Sequence, residues 1–522
     1  MIVVVLLVLG AGTLMWISQQ PPRVDAIDPD SFVPGNTIAV EGDGFGDSGR
    51  LAIDQLAIPP ESIRRWTPNL IIFEVPPRVS SGLLRVTTSD GTSNAVFVTA
   101  EGDLPVPLRD EAMEVSSLEP KTVGVGSRIL VEGEGFGPRS AMAEIAFSSE
   151  QLQDPVRVAA DRDLVLEWSN RRIELVLPYD LPAGEYTIAI NGVAAEAGVT
   201  VTPPDGEPTL EAQRQFAVRT AVTVRTPADE VYVVLPGGLT FREQPEVQLI
   251  RENVDSRANG DGAAASYHLA SAEDPQRIDR VVLVTRRAVN WSFNDTGPSE
   301  ILLEPWFRNA YRSYLSGLED LPRDNAVITD LRRGLELSEP VLTIARAIHR
   351  TVIVTLAPGV HGTIDPVAAI KTGENAGSYA YATLAVALAR SVGVPARRHF
   401  GVLLDDGGQS IPHAWVEFLV PGAGWIPADP AVGDGLVAAE IASLSEFYGD
   451  DRAAGTFGNL DDRRITLSID GRQAPRLYPA GALREPADNW APGSLRLETR
   501  KRSFPESVEQ QWEAPVLFGW FD

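Results

Sequence analysis

Residues 376–397 read AGSYAYATLAVALARSVGVPAR, and they are followed by PHAWVEF at 412–418 and WIPADP at 425–430. The first stretch predicts a helix from Asn375 to Val392, because nearly every position is apolar or small, as in a helix buried against a sheet. A glycine and a proline just beyond this segment end the helix. The two shorter stretches alternate in the way that β-strands do. The three stretches therefore predict a buried helix followed by two strands.

Ser378 falls in the first turn of the predicted helix. A nucleophile at this position gains from the positive end of the helix dipole. It also gains from the free backbone N–H groups of the first turn, which can hold a developing oxyanion. The alternative is an ordinary serine at a helix start, where serine is a preferred capping residue. The residue type alone favours this second interpretation.

His413 and Asp429 fall on the same face of the two predicted strands. If Val420 pairs with Gly424 across a tight turn, Asp429 lies opposite Trp415 and diagonal to His413. Diagonal neighbours approach to about 7–8 Å at Cβ, which is within reach of a hydrogen bond between an imidazole and a carboxylate. Such a pair can serve as a general base and the group that orients it. A bulge of one residue would break this register.

Together the three stretches resemble the core of the transglutaminase-like superfamily, and the resemblance extends over about Ile344 to Leu467. It implies a papain-like α+β fold and a catalytic triad at Ser378, His413 and Asp429. In the family a cysteine stands where this chain has Ser378, and a thiolate–imidazolium pair forms an acyl-enzyme on a glutamine or peptide carbonyl. This chain contains no cysteine.

Two further departures from the family pattern accompany this serine. Ala380 stands where relatives often have an acidic residue, and no upstream tryptophan matches the one that stabilises the oxyanion. A hydroxyl attacks only with a base that removes its proton during the reaction. We therefore expect a catalytically inactive domain that acts in peptide, protein or cell-wall binding or in scaffolding. The alternatives are a serine-dependent acyl hydrolase or transferase that uses Ser378, His413 and Asp429, and a purely structural domain whose cleft takes no ligand.

An internal repeat precedes this core. PGNTIAVEGDGFG at 34–46 recurs as VGSRILVEGEGFG at 125–137. Each copy joins an alternating strand to a glycine-rich turn, where glycine supplies the positive φ that tight turns require. Both copies resemble the Ig-like IPT/TIG module, which implies two β-sandwiches that act as spacers or as protein- or glycan-binding units. No helix pattern and no basic residue follow the turns, so phosphate binding is not indicated.

These patterns predict a multidomain chain with all-β Ig-like sandwiches followed by an α+β papain-like, transglutaminase-like core. A β-rich domain precedes the core, and a proline-rich C-terminal tail follows it without an assigned role. The predicted segments are a signal anchor at 1–20, IPT/TIG modules at 24–100 and 113–203, the β-rich domain at 208–300, the core at 301–470 and the tail at 471–522.

The first segment, from Ile2 to Ile17, is apolar and carries no charge. Its length is at the short edge of the roughly 17–25 residues that span a bilayer. We expect an uncleaved transmembrane signal anchor that binds the membrane, with a cleaved signal peptide as the alternative. The domain types that follow predict an extracytoplasmic location, either periplasmic or at the cell surface.

The composition excludes several functions. A formal net charge of −26 gives no basic surplus with which to bind a nucleic acid. The absence of cysteine excludes disulfides and cysteine-ligated metals. The five histidines lack metal-ligand spacing, and the acidic pairs at 405–406, 450–451 and 461–462 lack the spacing of a calcium loop and are interpreted as solvated. We therefore expect neither a metal nor a cofactor.

Overall fold

The computed structural model describes residues 22–521, apart from 101–112, 471–481 and shorter gaps of one to four residues. Within these residues no helix is long and apolar enough to cross a membrane. The predicted signal anchor at 1–20 lies outside the described residues. The chain is multidomain, with Ig-like β-sandwiches at its N-terminal end and an α+β core beyond them.

The first sandwich has two sheets, with strand orders β1-β3-β7-β6 and β2-β10-β8-β4-β5, and β9 adds to β8. A 3-10 turn at Pro60–Ser62 precedes β6. The strands are β1 (Arg23–Asp28), β2 (Ser31–Phe32), β3 (Thr37–Asp43), β4 (Arg50–Ile53), β5 (Leu56–Ala57), β6 (Ile63–Thr67), β7 (Leu70–Glu74), β8 (Gly82–Thr88), β9 (Gly91–Thr92) and β10 (Val96–Ala100).

The second sandwich repeats this topology, with orders β11-β13-β17-β16 and β12-β19-β18-β14-β15. Its strands are β11 (Glu114–Glu119), β12 (Thr122–Gly124), β13 (Arg128–Glu134), β14 (Glu144–Ser148), β15 (Val156–Ala159), β16 (Val165–Trp168), β17 (Arg172–Val176), β18 (Gly184–Ile190) and β19 (Val193–Thr202).

The glycine-rich turn has the same role in both sandwiches. Gly44 and Gly135 have φ values of 75° and 81°, as the sequence predicts for this turn. The phenylalanine that follows each of them, Phe45 and Phe136, is fully buried in its own sandwich. The repeat in the sequence therefore encodes a repeated turn that places an aromatic ring in the core.

A β-rich domain follows, with β20 (Glu207–Thr226), β21 (Val231–Pro236), β22 (Glu246–Glu252), β23 (Arg257–Asn259), β24 (Ala264–Leu269) and β25 (Ala272–Ser292). β20 and β25 pair antiparallel along nearly their whole length. Apolar residues of this domain share one core with the edge of the α+β sheet, where Val402 and Ile465 join the cluster of Phe216 and Val233.

The α+β core packs helices against one antiparallel sheet, whose order is β29-β28-β27-β31. Its strands are β26 (Pro358–Thr363), β27 (Ala396–Leu404), β28 (Ser410–Val420), β29 (Gly424–Ala428), β30 (Asn459–Leu460) and β31 (Arg464–Ile469). Its helices are α1 (Pro305–Ala310), α2 (Ala326–Arg332), α3 (Val341–Thr355), α4 (Pro366–Thr372), α5 (Ser378–Ser391), α6 (Pro430–Gly433), α7 (Leu444–Tyr448) and α8 (Arg452–Gly455), with 3-10 turns at Ser299–Leu303 and Arg312–Tyr314. The central helix α5 is buried along most of its length.

The second sandwich contacts this core directly. Tyr179 packs near Tyr311 with a ring-centroid distance of 6.3 Å. Asp163 accepts a hydrogen bond of 2.8 Å from Arg312 Nε and one of 2.6 Å from Ser313 Oγ. The second sandwich therefore packs directly against the core.

The C-terminal tail contributes strands to the β-rich domain, although its sequence indicates no role. The strands are β32 (Ala482–Arg484), β33 (Arg496–Thr499) and β34 (Glu509–Phe521). β33 pairs with β21, and β34 pairs with β20. Because the partners lie more than 250 residues earlier in the chain, no local pattern in the tail reveals this pairing.

Removal of residues 509–522 is expected to expose the edge of β20. The backbone amides of β20 that face β34 lose their hydrogen-bond acceptors, so their exchange with deuterium rises by on the order of tenfold or more. Exchange measured by mass spectrometry tests this, with residues 22–100 of the same protein as the internal control. Unchanged exchange across residues 207–226 would contradict the pairing.

Candidate functional site

The register of β28 and β29 places His413 beside Asp429. Val420 pairs with Gly424, and the pairing continues without a bulge to Val416 and Ala428. This confirms the register predicted from the sequence. His413 Nε2 and Asp429 Oδ2 are 2.7 Å apart, and neither side chain has any exposed surface.

Ser378 is the first residue of α5, and the N-cap is Gly377. The capping residue is therefore Gly377, and an ordinary serine at the helix start stays a prediction for Ser378. The Ser378 Oγ accepts a hydrogen bond of 3.1 Å from the backbone N–H of Ala414. This contact brings Ser378 to the strand that carries His413, at the residue next to it.

The segment before Ser378 fits tightly against β26. The N–H of Gly377 donates to the Thr363 carbonyl at 3.0 Å, and the N–H of Thr363 donates to the Asn375 carbonyl at 2.9 Å. A Cβ on Gly362 would lie 2.5 Å from the backbone of Ala376, so glycine is required for this close approach. The start of α5 is thus held on one side by β26 and on the other by β28.

Three groups hold Asp429 as a buried carboxylate, and they are Arg464, the Val432 N–H and His413. Arg464 donates to Oδ2 from Nη2 at 2.7 Å and from Nε at 3.2 Å. The Val432 N–H donates to Oδ1 at 3.0 Å, where Asp429 caps α6. Burial alone raises the pKa of Asp429, but its electrostatic interactions with His413 and Arg464 and these hydrogen bonds hold the pKa well below its usual range.

The ionised Asp429 fixes the tautomer of His413. A carboxylate only accepts hydrogen bonds, so the proton of the neutral imidazole lies on Nε2. Nδ1 makes no hydrogen bond to any described residue. The ring also stacks near Trp415, with centroids 6.1 Å apart. His413 therefore presents a buried, unpartnered nitrogen that can accept a proton.

The structure adds a buried charge network that the sequence does not reveal. Arg464 has no exposed side-chain surface and lies between Asp429 and Asp461, with an ion pair to each. Tyr448 donates to Asp461 Oδ2 at 2.6 Å and accepts from Arg464 Nη1 at 3.0 Å. The acidic pair at 461–462 is therefore not a solvated loop, because its residues are only 4% and 7% exposed. The sequence signal for this network is an arginine at the start of RITLSI at 464–469, a strand that is buried at every position.

A second buried pair lies on the same sheet face. His399 Nε2 and Glu417 Oε2 are 2.7 Å apart, and Arg397 Nε donates to the same oxygen at 2.6 Å. His399 lies opposite Trp415 on the neighbouring strand, with ring centroids 5.5 Å apart. Both members of this pair have hydrogen-bond partners, so the pair supports the sheet and the position of Trp415.

No group of histidine and carboxylate side chains among the described residues is arranged to hold a metal ion. The site therefore consists of Ser378, the His413–Asp429 pair and the Arg464 network. It brings the three predicted residues to one place, with a direct bond between His413 and Asp429 and a backbone-mediated link to Ser378.

Comparisons with known proteins agree with the predicted domain types. A family model described as the transglutaminase-like superfamily matches residues 329–430, and an IPT/TIG domain model matches residues 22–100. No curated protein sequence matches the chain significantly. The second sandwich shares the strand order of the first, which the IPT/TIG model matches.

Solved structures resemble the fold at low identity. A candidate cysteine protease from Cytophaga hutchinsonii has 11% identity and a TM-score of 0.35, covering 60% of this chain and 91% of its own. The periplasmic domain of TgpA from Pseudomonas aeruginosa has 15% identity and a TM-score of 0.23, covering 58% and 90%. A surface glycan-binding protein from Prevotella bryantii has 9% identity and a TM-score of 0.19, covering 51% and 98%. At these scores none of the three bears on the activity of this chain.

The neighbours Arg463 and Arg464 provide a matched test of the buried network. Arg464→Met leaves two carboxylates buried without their cation, so the free energy of unfolding is expected to fall by about 3–5 kcal/mol. Arg463 makes a partly exposed ion pair with Asp406 at 3.0 Å. Arg463→Met is expected to cost about 1 kcal/mol or less. Urea unfolding followed by tryptophan fluorescence measures both, and equal losses would contradict the central role of Arg464.

Proposed function

The chain contains a transglutaminase-like core and an IPT/TIG domain, and we propose that the core is catalytically inactive and acts in binding or scaffolding. The ligand class is a peptide, a protein or a cell-envelope strand. The observation that carries the proposal is the hydrogen-bonded state of Ser378, whose Oγ accepts from Ala414 N–H at 3.1 Å and makes no bond to the His413 ring.

The chemistry of the hydroxyl supports inactivity. A thiol ionises near neutral pH and can pair with an imidazolium, whereas a serine hydroxyl needs its proton removed in the transition state. That step requires the base within hydrogen-bond reach of the hydroxyl. A misplacement of about 1 Å costs on the order of a hundredfold in rate. An arrangement suited to sulfur therefore does not become a serine hydrolase by substitution alone.

The retained His413 supports binding rather than a purely structural role. Its Nδ1 is buried without a partner among the described residues, and such a nitrogen costs about 1–3 kcal/mol. A packed apolar residue at this position would avoid that cost. A ligand that donates a hydrogen bond to Nδ1 offsets this free-energy cost. Ligand binding therefore explains why an imidazole stands at this position.

One observation favours the alternative of a serine-dependent acyl hydrolase or transferase. Asp429 holds the Nε2–H tautomer of His413, so the free nitrogen Nδ1 is the proton acceptor that such an enzyme needs. Ser378 would be the nucleophile and Asp429 the orienting group. In this case the hydroxyl turns from Ala414 towards Nδ1 when substrate binds.

We further propose that the protein is anchored in a membrane by residues 1–20, with its other domains on the extracytoplasmic side. The support is the uncharged apolar run from Ile2 to Ile17 and the Ig-like modules that follow it. In this arrangement the N-terminal modules lie between the membrane and the core. The binding partner is then a component of the cell envelope.

A fluorophosphonate probe is expected to leave the wild-type protein unlabelled, because Ser378 is not activated. In-gel fluorescence and intact-mass measurement detect the adduct, with a known serine hydrolase as the positive control. Labelling of the wild type that disappears in both Ser378→Ala and His413→Ala would overturn the proposal in favour of the serine enzyme.

A cysteine at position 378 is expected to be reactive, because the start of α5 and His413 both favour a thiolate. Ser391, at the other end of the same helix, provides the matched control, since the helix C-terminus disfavours an anion. Alkylation of Ser378→Cys by iodoacetamide near pH 7 is expected to be faster than that of Ser391→Cys by on the order of tenfold or more. Equal rates would mean that the arrangement around Ser378 no longer supports a thiolate.

A further inference from the structure

His349 is a buried histidine that joins helix α3 to the segment before β30. The residue is 1% exposed, and its Nε2 lies 2.9 Å from the carbonyl oxygen of Ala453 and 3.3 Å from Thr456 Oγ1. A carbonyl oxygen only accepts hydrogen bonds, so the proton of the neutral imidazole lies on Nε2. The Thr456 hydroxyl donates its own proton to the Arg452 carbonyl at 3.0 Å, so its oxygen can accept from the same Nε2–H.

The segment that this imidazole contacts, residues 452–458, holds the end of β29 in turn. The N–H of Asp429 donates to the carbonyl oxygen of Thr456 at 3.0 Å. The N–H of Gly458 donates to the carbonyl oxygen of Pro427 at 2.8 Å. The imidazole is therefore linked to the backbone of Asp429 through a single residue of the segment.

The packing around this contact is tight on the inner side and thin on the outer side. A Cβ on Gly433 of α6 would lie 2.6 Å from Thr456 Oγ1 and 3.0 Å from Ile353 Cδ1 of α3, so a methyl group does not fit there. The imidazole also contacts the Phe457 ring, with centroids 5.7 Å apart. On the outer side α8 is one turn of four residues, none of which is buried. Displacement of this one turn is therefore enough to bring water to the imidazole.

A second proton on His349 has no acceptor in this closed arrangement. Nδ1 makes no hydrogen bond to any described residue, so an N–H there would be an unpaired donor on a buried cation. Burial lowers the pKa of His349 to about 4, although the bond to Ala453 and the charge of Asp429 oppose this shift and Arg350 adds to it. When the 452–458 segment is displaced, water solvates both ring nitrogens and the pKa returns towards the ordinary value of about 6.5.

Charged and titratable groups surround His349 on its own helix and on the elements that pack against it. They are Arg346 and Arg350 of α3, Asp451 and Arg452 at the start of α8, Asp429 and Asp434 on either side of α6, Tyr381 of α5, and His413 of β28.

Two of these groups interact electrostatically with the imidazole, and they are Asp429 and Arg350. Neither changes its charge between pH 7.5 and pH 5, because the pKa of Asp429 is held well below its usual range and a guanidinium stays protonated. The proton that enters this region on acidification is therefore assigned to His349.

We propose that His349 is a pH-sensitive positioning residue, which holds residues 452–458 and the backbone of Asp429 in place when it is neutral and releases them when it is protonated. The inference goes beyond the proposed function, since it applies equally to a binding domain and to a serine enzyme. The open arrangement binds more protons than the closed one between about pH 6.5 and pH 4. The closed arrangement is therefore fully favoured above pH 6.5 and loses stability as the pH falls towards 4.

Deuterium exchange of the full-length protein at pH 7.5 and pH 5 measures the opening of residues 452–458. After correction for the intrinsic exchange rate, opening is expected to rise about thirtyfold at pH 5, as one proton binds with a pKa of about 4 when closed and about 6.5 when open. Residues 128–134 of the second sandwich are the internal control. Equal opening of residues 452–458 at the two pH values would overturn the inference.

Two glutamine variants assign the effect to one imidazole. His349→Gln places an amide donor near Nε2 but does not titrate, so we expect it to stay closed at both pH values. His361→Gln is the matched control, because His361 is an exposed histidine of β26 in the same core, and we expect it to open like the wild type. If His349→Gln still shows the thirtyfold change, or His361→Gln loses it, the assignment to His349 is wrong.

NMR of the wild type keeps the test valid if His349→Gln fails to fold. The chain has five histidines, and the His349 signals are assigned through the contact of the imidazole with the Phe457 ring. We expect the imidazole to be the Nε2–H tautomer and to stay neutral at pH 5 in the closed protein. An Nδ1–H tautomer, or titration near pH 6.5 with residues 452–458 still protected from exchange, would contradict the proposed role.

Discussion

The ion pair between Arg464 and Asp429 is the contact on which the rest of the site depends. Arg464 keeps Asp429 ionised although neither side chain has any exposed surface. Its Nη2 and Nε lie 2.7 Å and 3.2 Å from Asp429 Oδ2. The ionised Asp429 then sets the tautomer and orientation of His413. Without the arginine, the buried carboxylate would take up a proton or accept a large desolvation cost. The imidazole would lose the partner that fixes it.

The surrounding domains stabilise this centre through contacts between segments that are distant in the sequence. The C-terminal strand β34 completes a sheet with β20, and Pro515 in β34 accepts a hydrogen bond from Ser410, the first residue of β28. The second sandwich packs near Tyr311 through Tyr179. The strand that carries His413 is therefore held at its first residue by the C-terminal strand.

The sequence predicts the parts of the site that depend on local periodicity. Alternation along β28 and β29 places His413 and Asp429 on one face, and the tight turn between the strands leaves a single register. The apolar helix with Ser378 in its first turn follows from the same kind of pattern. The role of Arg464 could not be predicted in this way, because alternation shows on which face of a sheet a residue lies but not which charged side chain it contacts. The pairing of the tail strands and the hydrogen bond that Ser378 accepts from Ala414 also depend on long-range contacts. Local periodicity therefore does not predict them.

We propose that the core is inactive because Ser378 stands in the place of the family's cysteine. A side-by-side assay of the wild type and Ser378→Cys tests this most directly, with incorporation of a fluorescent amine into glutamine peptides and hydrolysis of peptide amides as the readouts. We expect no turnover by the wild type and turnover by Ser378→Cys that is lost when His413 is also replaced. Turnover by the wild type, lost in Ser378→Ala, would contradict it.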